Sequence, residues 1–207
     1  MKQYIKLKEL NQSIKDKTGK DYGLSMSFNK EPYVSNVYDI LITTSSKERV
    51  AFVRILLLNT AQGIKEDTLD YMLDYANGTD GLYFKLNTKP IYNKSRPIWF
   101  IIEENIMVNG AYRSLGVSSF IQHNLFDIVT YYKKIIPSYI VLMIGDGYYE
   151  YGNCEDGEKY REILYKHYTK NGFRLLSRDC DCFMVKHNKK APWKETYKFI
   201  QINDVVL

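Results

Sequence analysis

Between Val108 and Ser119 the chain reads VNGAYRSLGVSS, an apolar run that ends in small residues and opens directly into a helical pattern. A strand, a tight turn and a helix N-terminus in that order make a phosphate cradle. The first turn of a helix offers backbone N–H groups without intrahelical acceptors and the positive end of the macrodipole, so main chain alone can hold a pyrophosphate. Arg113 adds a fixed cation at the mouth. Cys180 and Cys182, flanked by Asp179 and Asp181, have the residue types of a metal site. Alternation along a strand sends both cysteines to one face, where they act as small apolar side chains, so no metal is expected. His123, His167 and His187 have no triad spacing, and His123, inside the helix after the loop, reads as structural.

The elements that must position these residues follow from periodicity. Tyr4, Leu7, Leu10 and Ile14 predict an amphipathic helix over 3–17, ended by Gly19. Tyr22 to Phe28, Val37 to Thr43 and Ala51 to Leu58 are β-branched and aromatic runs, read as neighbouring antiparallel strands with a hairpin turn at Ser45 to Glu48. Glu66 to Ala76 returns to helical spacing, Leu82 to Leu86 reads as a short strand, and Asn87 to Pro97 as a long basic loop. From Ile98 the pattern is clearest. Strand (98–108), helix (115–134), strand (139–144), helix (157–171) and hairpin (174–186, turning near Arg178 and Asp179) imply a mixed sheet with packed helices. An acidic, tyrosine-rich loop from Asp146 to Glu158 reads as a solvated surface loop, with attraction of a cationic group as the alternative, and the tail ends in a strand-like segment, Tyr197 to Val206.

Composition narrows the class. The 207 residues are 45% hydrophobic and 26% charged, as in ordinary globular proteins. The apolar runs, such as Val50 to Leu58 and Ile135 to Ile144, fall far short of the roughly 20 residues of a spanning helix, and the opening MKQYIKLKEL has no apolar signal core. No membrane partner is therefore expected. Three cysteines, an odd number, argue for a reducing compartment, and the expected location is cytoplasmic. Nineteen tyrosines, with abundant Lys, Asn and Ile, fit an AT-rich coding genome such as that of a phage or other virus. A net charge of +5 fits a solvated basic surface better than a dedicated nucleic-acid face.

The segment from Ile98 to His187 resembles the GNAT superfamily of acyl-CoA N-acyltransferases. Val108-x-Gly110-x-Tyr112-Arg113-Ser114-x-Gly116-Val117-Ser118 is similar to the family's V-x-P-x-Y-R-G-x-G-[IV]-G, and Tyr168-Thr169-Lys170-Asn171-Gly172-Phe173 to its Y-x-K-x-G-F. Gly110 replaces a proline, Ser114 and Ser118 replace glycines, and Arg161 and Leu164 stand where an asparagine and a small residue are usual. The resemblance implies an α/β fold with a central mixed, mostly antiparallel sheet, helices on both faces and a V-shaped splay between two central parallel strands. One domain is expected over 1–207, with a divergent N-terminal half (1–97) and a basic, aromatic extension (188–207).

It also implies acetyl-CoA as co-substrate, held by Val108, Arg113, Ser114, Leu115, Gly116, Val117 and Ser118. Pantetheine would run along the strand at 98–108 as an added strand, and the acetyl group would pass directly to a primary amine on a small molecule or protein. The resemblance makes Tyr168 the acid for the leaving thiolate, with Tyr165 one turn earlier as the alternative. For the base, parity with Ile106 and Val108 favours Glu104 over Glu103. Two other readings stay open. One is a GNAT-like binding or assembly module without chemistry. The other is an RNA-associated protein that uses lysines interleaved with Tyr92, Trp193 and Tyr197.

Overall fold

Alternation of branched and aromatic side chains drives the strands, and their register carries the chemistry. The computed structural model describes residues 5–6, 22–30, 36–59, 99–144, 154–175 and 183–191. Among them are eight strands: β1 (Ile5–Lys6), β2 (Tyr22–Asn29), β3 (Val37–Thr44), β4 (Arg49–Asn59), β5 (Trp99–Val108), β6 (Tyr139–Met143), β7 (Arg174–Leu175) and β8 (Phe183–His187). Helix α1 spans Val117–Lys133 and α2 Cys154–Lys170. The strands form one sheet in the order β1-β2-β3-β4-β5-β6-β8-β7, antiparallel throughout except for the parallel pair β5 and β6. This is the mixed, mostly antiparallel sheet expected from the sequence.

One face of the sheet is read off the register. Ile40 stands opposite Val53 and Met26, and Val53 opposite Ile106; Leu57 pairs with Ile101, and Ile101 with Ile140. These residues belong to one core cluster that Val117, Phe120, Ile121, Leu125 and Ile128 of α1 complete. Those helix positions recur at three and four residues, so one stripe of α1 covers the sheet. The helix ends at Lys134, whose φ of 57° and N–H to Thr130 O at 2.9 Å close the last turn. Pro137 follows and cannot continue it.

Two expectations change. Ile5 and Lys6 do not lie in the predicted N-terminal helix but pair as an edge strand with Leu24 and Gly23. Pairing with an open sheet edge outweighs the weak helical period there. Strand β5 also departs from simple alternation, because Arg54 faces Asn105 while the next residue, Ile55, faces Glu103. Glu104 is therefore an extra residue in a β-bulge. The hairpin at 45–48 forms as expected, with Thr44 N–H to Glu48 O at 2.9 Å and Lys47 at a φ of 66°. Elements predicted over 66–76, 82–86, 87–97 and 197–206, the loop before residue 154, and Cys180 and Cys182 lie outside the described residues.

Candidate functional site

The parallel pairing of β5 with β6 lasts for four residues, Phe100 to Glu103 against Tyr139 to Leu142. Strand β6 then stops at Met143 while β5 continues to Val108 beside β4. A cleft of about 440 Å³ lies along this continuation. Its strand wall is Ile106, Met107 and Val108, its floor Asn109, Gly110 and Arg113 of the turn, and its far wall Tyr160, Leu164, His167 and Tyr168 of α2. Arg49 and Ala51 of β4 and Ser118 of α1 complete it. Among the described lining residues three can carry positive charge, Arg49, Arg113 and His167, and none is acidic.

The turn is built from backbone requirements. Asn109 N–H donates to Val50 O at 2.9 Å, and Asn109 Oδ1 accepts from the Ala111 N–H at 3.2 Å, starting a single 3₁₀ turn over Gly110–Tyr112. Tyr112 is buried and its hydroxyl donates to Glu48 Oε2 at 2.7 Å, tying the turn to the β3–β4 hairpin. Ser114 and Gly116 both have positive φ, 65° and 80°. The left-handed region costs a non-glycine residue about 1 kcal/mol, which is the physical reason for a glycine at the position Ser114 occupies. Gly116 then precedes α1, and the first helical hydrogen bond runs from Phe120 N–H to Gly116 O. That leaves the amides of Val117, Ser118 and Ser119 without intrahelical acceptors.

The predicted coenzyme residues divide accordingly. Val108, Arg113 and Ser118 line the cleft. Ser114 is exposed and shapes the turn, Gly116 begins the helix, Leu115 packs against the core and Val117 is buried within it. Ser118 does more than replace a glycine: its Oγ is 2.9 Å from His167 Nε2. With Asn171 Nδ2 at 3.5 Å from Ser119 Oγ, this contact joins the start of α1 to the end of α2.

The second motif is a helix cap. Gly172 has a φ of 88°, its N–H donates to Thr169 O at 3.0 Å, and Phe173 N–H donates to Tyr168 O at 3.1 Å. This is a Schellman motif, and the Tyr168 and Phe173 rings meet edge to face at 5.6 Å as its apolar contact. Tyr168 is buried and lines the cleft, whereas Tyr165 is 38% exposed and does not. Burial, with the nearby Glu103 and Tyr160, pushes the Tyr168 phenol far above its ordinary range, so it stays protonated at every accessible pH.

For the carboxylate, the bulge reverses the parity argument. Val53 and Ile55 share a face of β4, and their partners are Ile106 and Glu103. Glu103 therefore shares the face of Ile106 and Val108, and the side chain of Glu104 lies outside the described residues. Glu103 is 5% exposed, and Gln122 Nε2 donates to both of its oxygens at 2.8 Å. Burial raises its pKa to about 7 against the opposing pull of the Gln122 amide and of Lys186. Lys186 in turn donates to Gln122 O at 2.6 Å, and burial lowers its own pKa. Gln122 Oε1 is buried and has no hydrogen-bond partner among the described residues.

His167, Arg49 and Tyr160 were not selected from the sequence, and Glu103 was weighed there but placed behind Glu104. Tyr160, Leu164, His167 and Asn171 recur at three and four residues, so the helical face that holds Tyr168 held the signal for His167. Arg49 has no local signal, because antiparallel pairing across β4 and β5 brings it to the turn. His123 Nδ1 donates to Ser119 O, 2.7 Å away on its own helix, in keeping with a structural role.

An eight-stranded mixed sheet whose parallel pair parts beside a strand–turn–helix loop gives the chain a GNAT-like fold. No family model matches the sequence, and no curated protein is significantly similar to it. Solved structures are similar in overall shape. A bacterial toxin is 9% identical, with 74% of this chain and 68% of that one covered and a TM-score of 0.42. AtaT complexed with acetyl-methionyl-tRNAfMet is 8% identical over 73% and 71%, with a TM-score of 0.41. Arabidopsis thaliana NAA60 in complex with a bisubstrate analogue is 10% identical over 75% and 78%, with a TM-score of 0.42. Among the described residues no helix is long and apolar enough to cross a membrane.

Proposed function

We propose that the protein is an acetyl-CoA-dependent N-acetyltransferase that passes an acetyl group directly to a primary amine. The observation that carries this reading is the cationic cleft at the point where β5 outruns β6. A strand edge freed from its parallel neighbour can pair with the amides of pantetheine, and the turn at its end presents Arg113 and the first amides of α1 to a pyrophosphate. The amine nitrogen attacks the thioester carbonyl carbon, the C–S bond breaks, and the departing sulfur takes a hydrogen bond and then a proton. Tyr168, whose phenol burial holds in the protonated form, suits the hydrogen bond to the departing sulfur, and the proton that completes the thiol comes from solvent. Glu103, with a pKa near neutrality, lies behind the cleft lining beside Tyr168, and its part in accepting the ammonium proton is tested by Glu103→Gln.

The test is calorimetry with acetyl-CoA, followed by release of coenzyme A in the presence of an amine panel. Micromolar binding and amine-dependent release are expected, and a folded protein that does not bind acetyl-CoA refutes the reading. Tyr168→Phe keeps the ring contact that caps α2 and removes the hydroxyl. It should lower kcat by about 100-fold while leaving acetyl-CoA affinity within about twofold. An equal loss of affinity and kcat would give Tyr168 a packing role alone.

A further inference from the structure

We propose that Ser118 and His167 form a proton-linked clamp for a pyrophosphate: binding the anion draws a proton onto His167, which turns the Ser118 hydroxyl toward the phosphate oxygens. This deepens the coenzyme reading above and rests on the same cleft. Ser118 Oγ and His167 Nε2 are 2.9 Å apart, and one hydrogen lies between them. When the imidazole is neutral with Nε2 bare, the serine must donate to it, and the hydroxyl then turns lone pairs toward the cleft. Lone pairs repel a phosphate. When the imidazole is protonated, Nε2–H donates to Oγ and the hydroxyl hydrogen is released to a phosphate oxygen. The same contact thus rejects an anion in one protonation state and receives it in the other.

In the free protein the neutral state is favoured. Burial, then the charge of Lys170 on the same helix, hold the His167 pKa below its ordinary value. Asn171 Nδ2, 3.4 Å from Nε2 and 2.9 Å from His167 O, presents a donor to the bare nitrogen. The other groups facing His167 are Arg49 and Arg113 across the cleft, Ser119 of α1, and Tyr160 and Tyr168 of α2, with the Tyr168 ring edge-on at 5.5 Å. Among the described residues that line the cleft there is no carboxylate, and buried Glu103 acts on the Tyr168 phenol behind it. The negative charge able to raise the His167 pKa must arrive with the ligand. A pyrophosphate diester at the α1 N-terminus carries two. The serine that departs from the family's glycine is then the element that makes binding sensitive to pH.

Acetyl-dephospho-coenzyme A is the probe of choice, because without a phosphate monoester or free thiol it has no group titrating between pH 5.5 and 8.5. Calorimetry in buffers of different ionisation enthalpy should show proton uptake on binding. Affinity should rise as pH falls below the pKa of liganded His167 and level off below that of the free side chain. The rise is about tenfold for each unit by which the ligand lifts that pKa. His167→Gln should bind with a flat pH profile and no uptake, and Ser118→Gly, which keeps the imidazole but loses the hydroxyl, should take up fewer protons than wild type. A flat wild-type profile, uptake in His167→Gln equal to wild type, or uptake in Ser118→Gly equal to wild type overturns the clamp.

Inorganic pyrophosphate separates this from the coenzyme reading. Uptake beyond that of His167→Gln with pyrophosphate, but no binding of the coenzyme analogue, upholds the clamp and refutes the coenzyme. Failure of both ligands to bind at any pH refutes the clamp. Should both variants fail to fold, the wild-type imidazole resonances decide: those of His167 must titrate at higher pH with pyrophosphate present, and an unmoved titration refutes the clamp.

Discussion

Glu103→Gln should stabilise the protein at pH 8 and leave it unchanged near pH 4. In the unfolded chain this carboxyl ionises near its model value of 4.5, and in the folded chain burial delays ionisation to about 7. Below 4.5 both states are protonated and the group contributes nothing. Between 4.5 and 7 only the unfolded state releases the proton, so stability falls as pH rises through that window and stays low above it. A displacement of that size amounts to about 3 kcal/mol, and at 5% exposure little of it is screened by water. Glutamine keeps the shape and removes the charge.

Urea unfolding followed by tryptophan fluorescence at several pH values measures the difference. A gain of about 3 kcal/mol is a rise of roughly 6–12 °C in Tm for a chain of this size. The gain should grow from near zero at pH 4 to its full value above pH 7. A gain independent of pH, or a loss at pH 8, would show that Glu103 is ionised at little cost and refute the burial argument. The same substitution should slow acetyl transfer if Glu103 receives the ammonium proton, so stability and activity should move in opposite directions.

Ser114→Gly should stabilise the fold by roughly 0.5–1 kcal/mol, because relief of the left-handed conformation exceeds the entropy glycine adds to the unfolded chain; thermal melts showing a loss would mean that the exposed hydroxyl is needed. Arg113→Ala removes a cation from the cleft mouth and should weaken acetyl-CoA binding about tenfold while flattening its salt dependence. Equal affinity for wild type and variant across a salt series would take Arg113 out of the site.

What the sequence disclosed and what it hid have separate physical origins. The strands 22–29, 37–44, 49–59 and 99–108, and both helices, are written in local side-chain period, which survives without knowledge of neighbours. So is the cap at Gly172, where a φ of 88° favours glycine. The bulge at Glu104 left no such mark. It arises from how β4 and β5 pair, and one extra residue was enough to bring Glu103 onto the face of Ile106. Ile5 and Lys6 went astray for a related reason: an open edge of β2 recruited them against their local period.

The two sequence motifs acquire a common purpose in three dimensions. One shapes the turn that starts α1; the other caps α2 through Gly172 and Phe173. A crossover through α1 returns the chain to β6, and the short β6 leaves the end of β5 open for α2 to wall off. Had β6 matched β5 in length, backbone would have filled the cleft and the turn would hold no more than an isolated helix start. The Ser118–His167 contact exists because the termini of these two helices converge there. A glycine at 118 would leave His167 without that hydroxyl, and any other residue at 167 would leave Ser118 a plain substitute for glycine. Their chemistry is therefore a property of the pair, set by the length difference between two strands that neither residue belongs to.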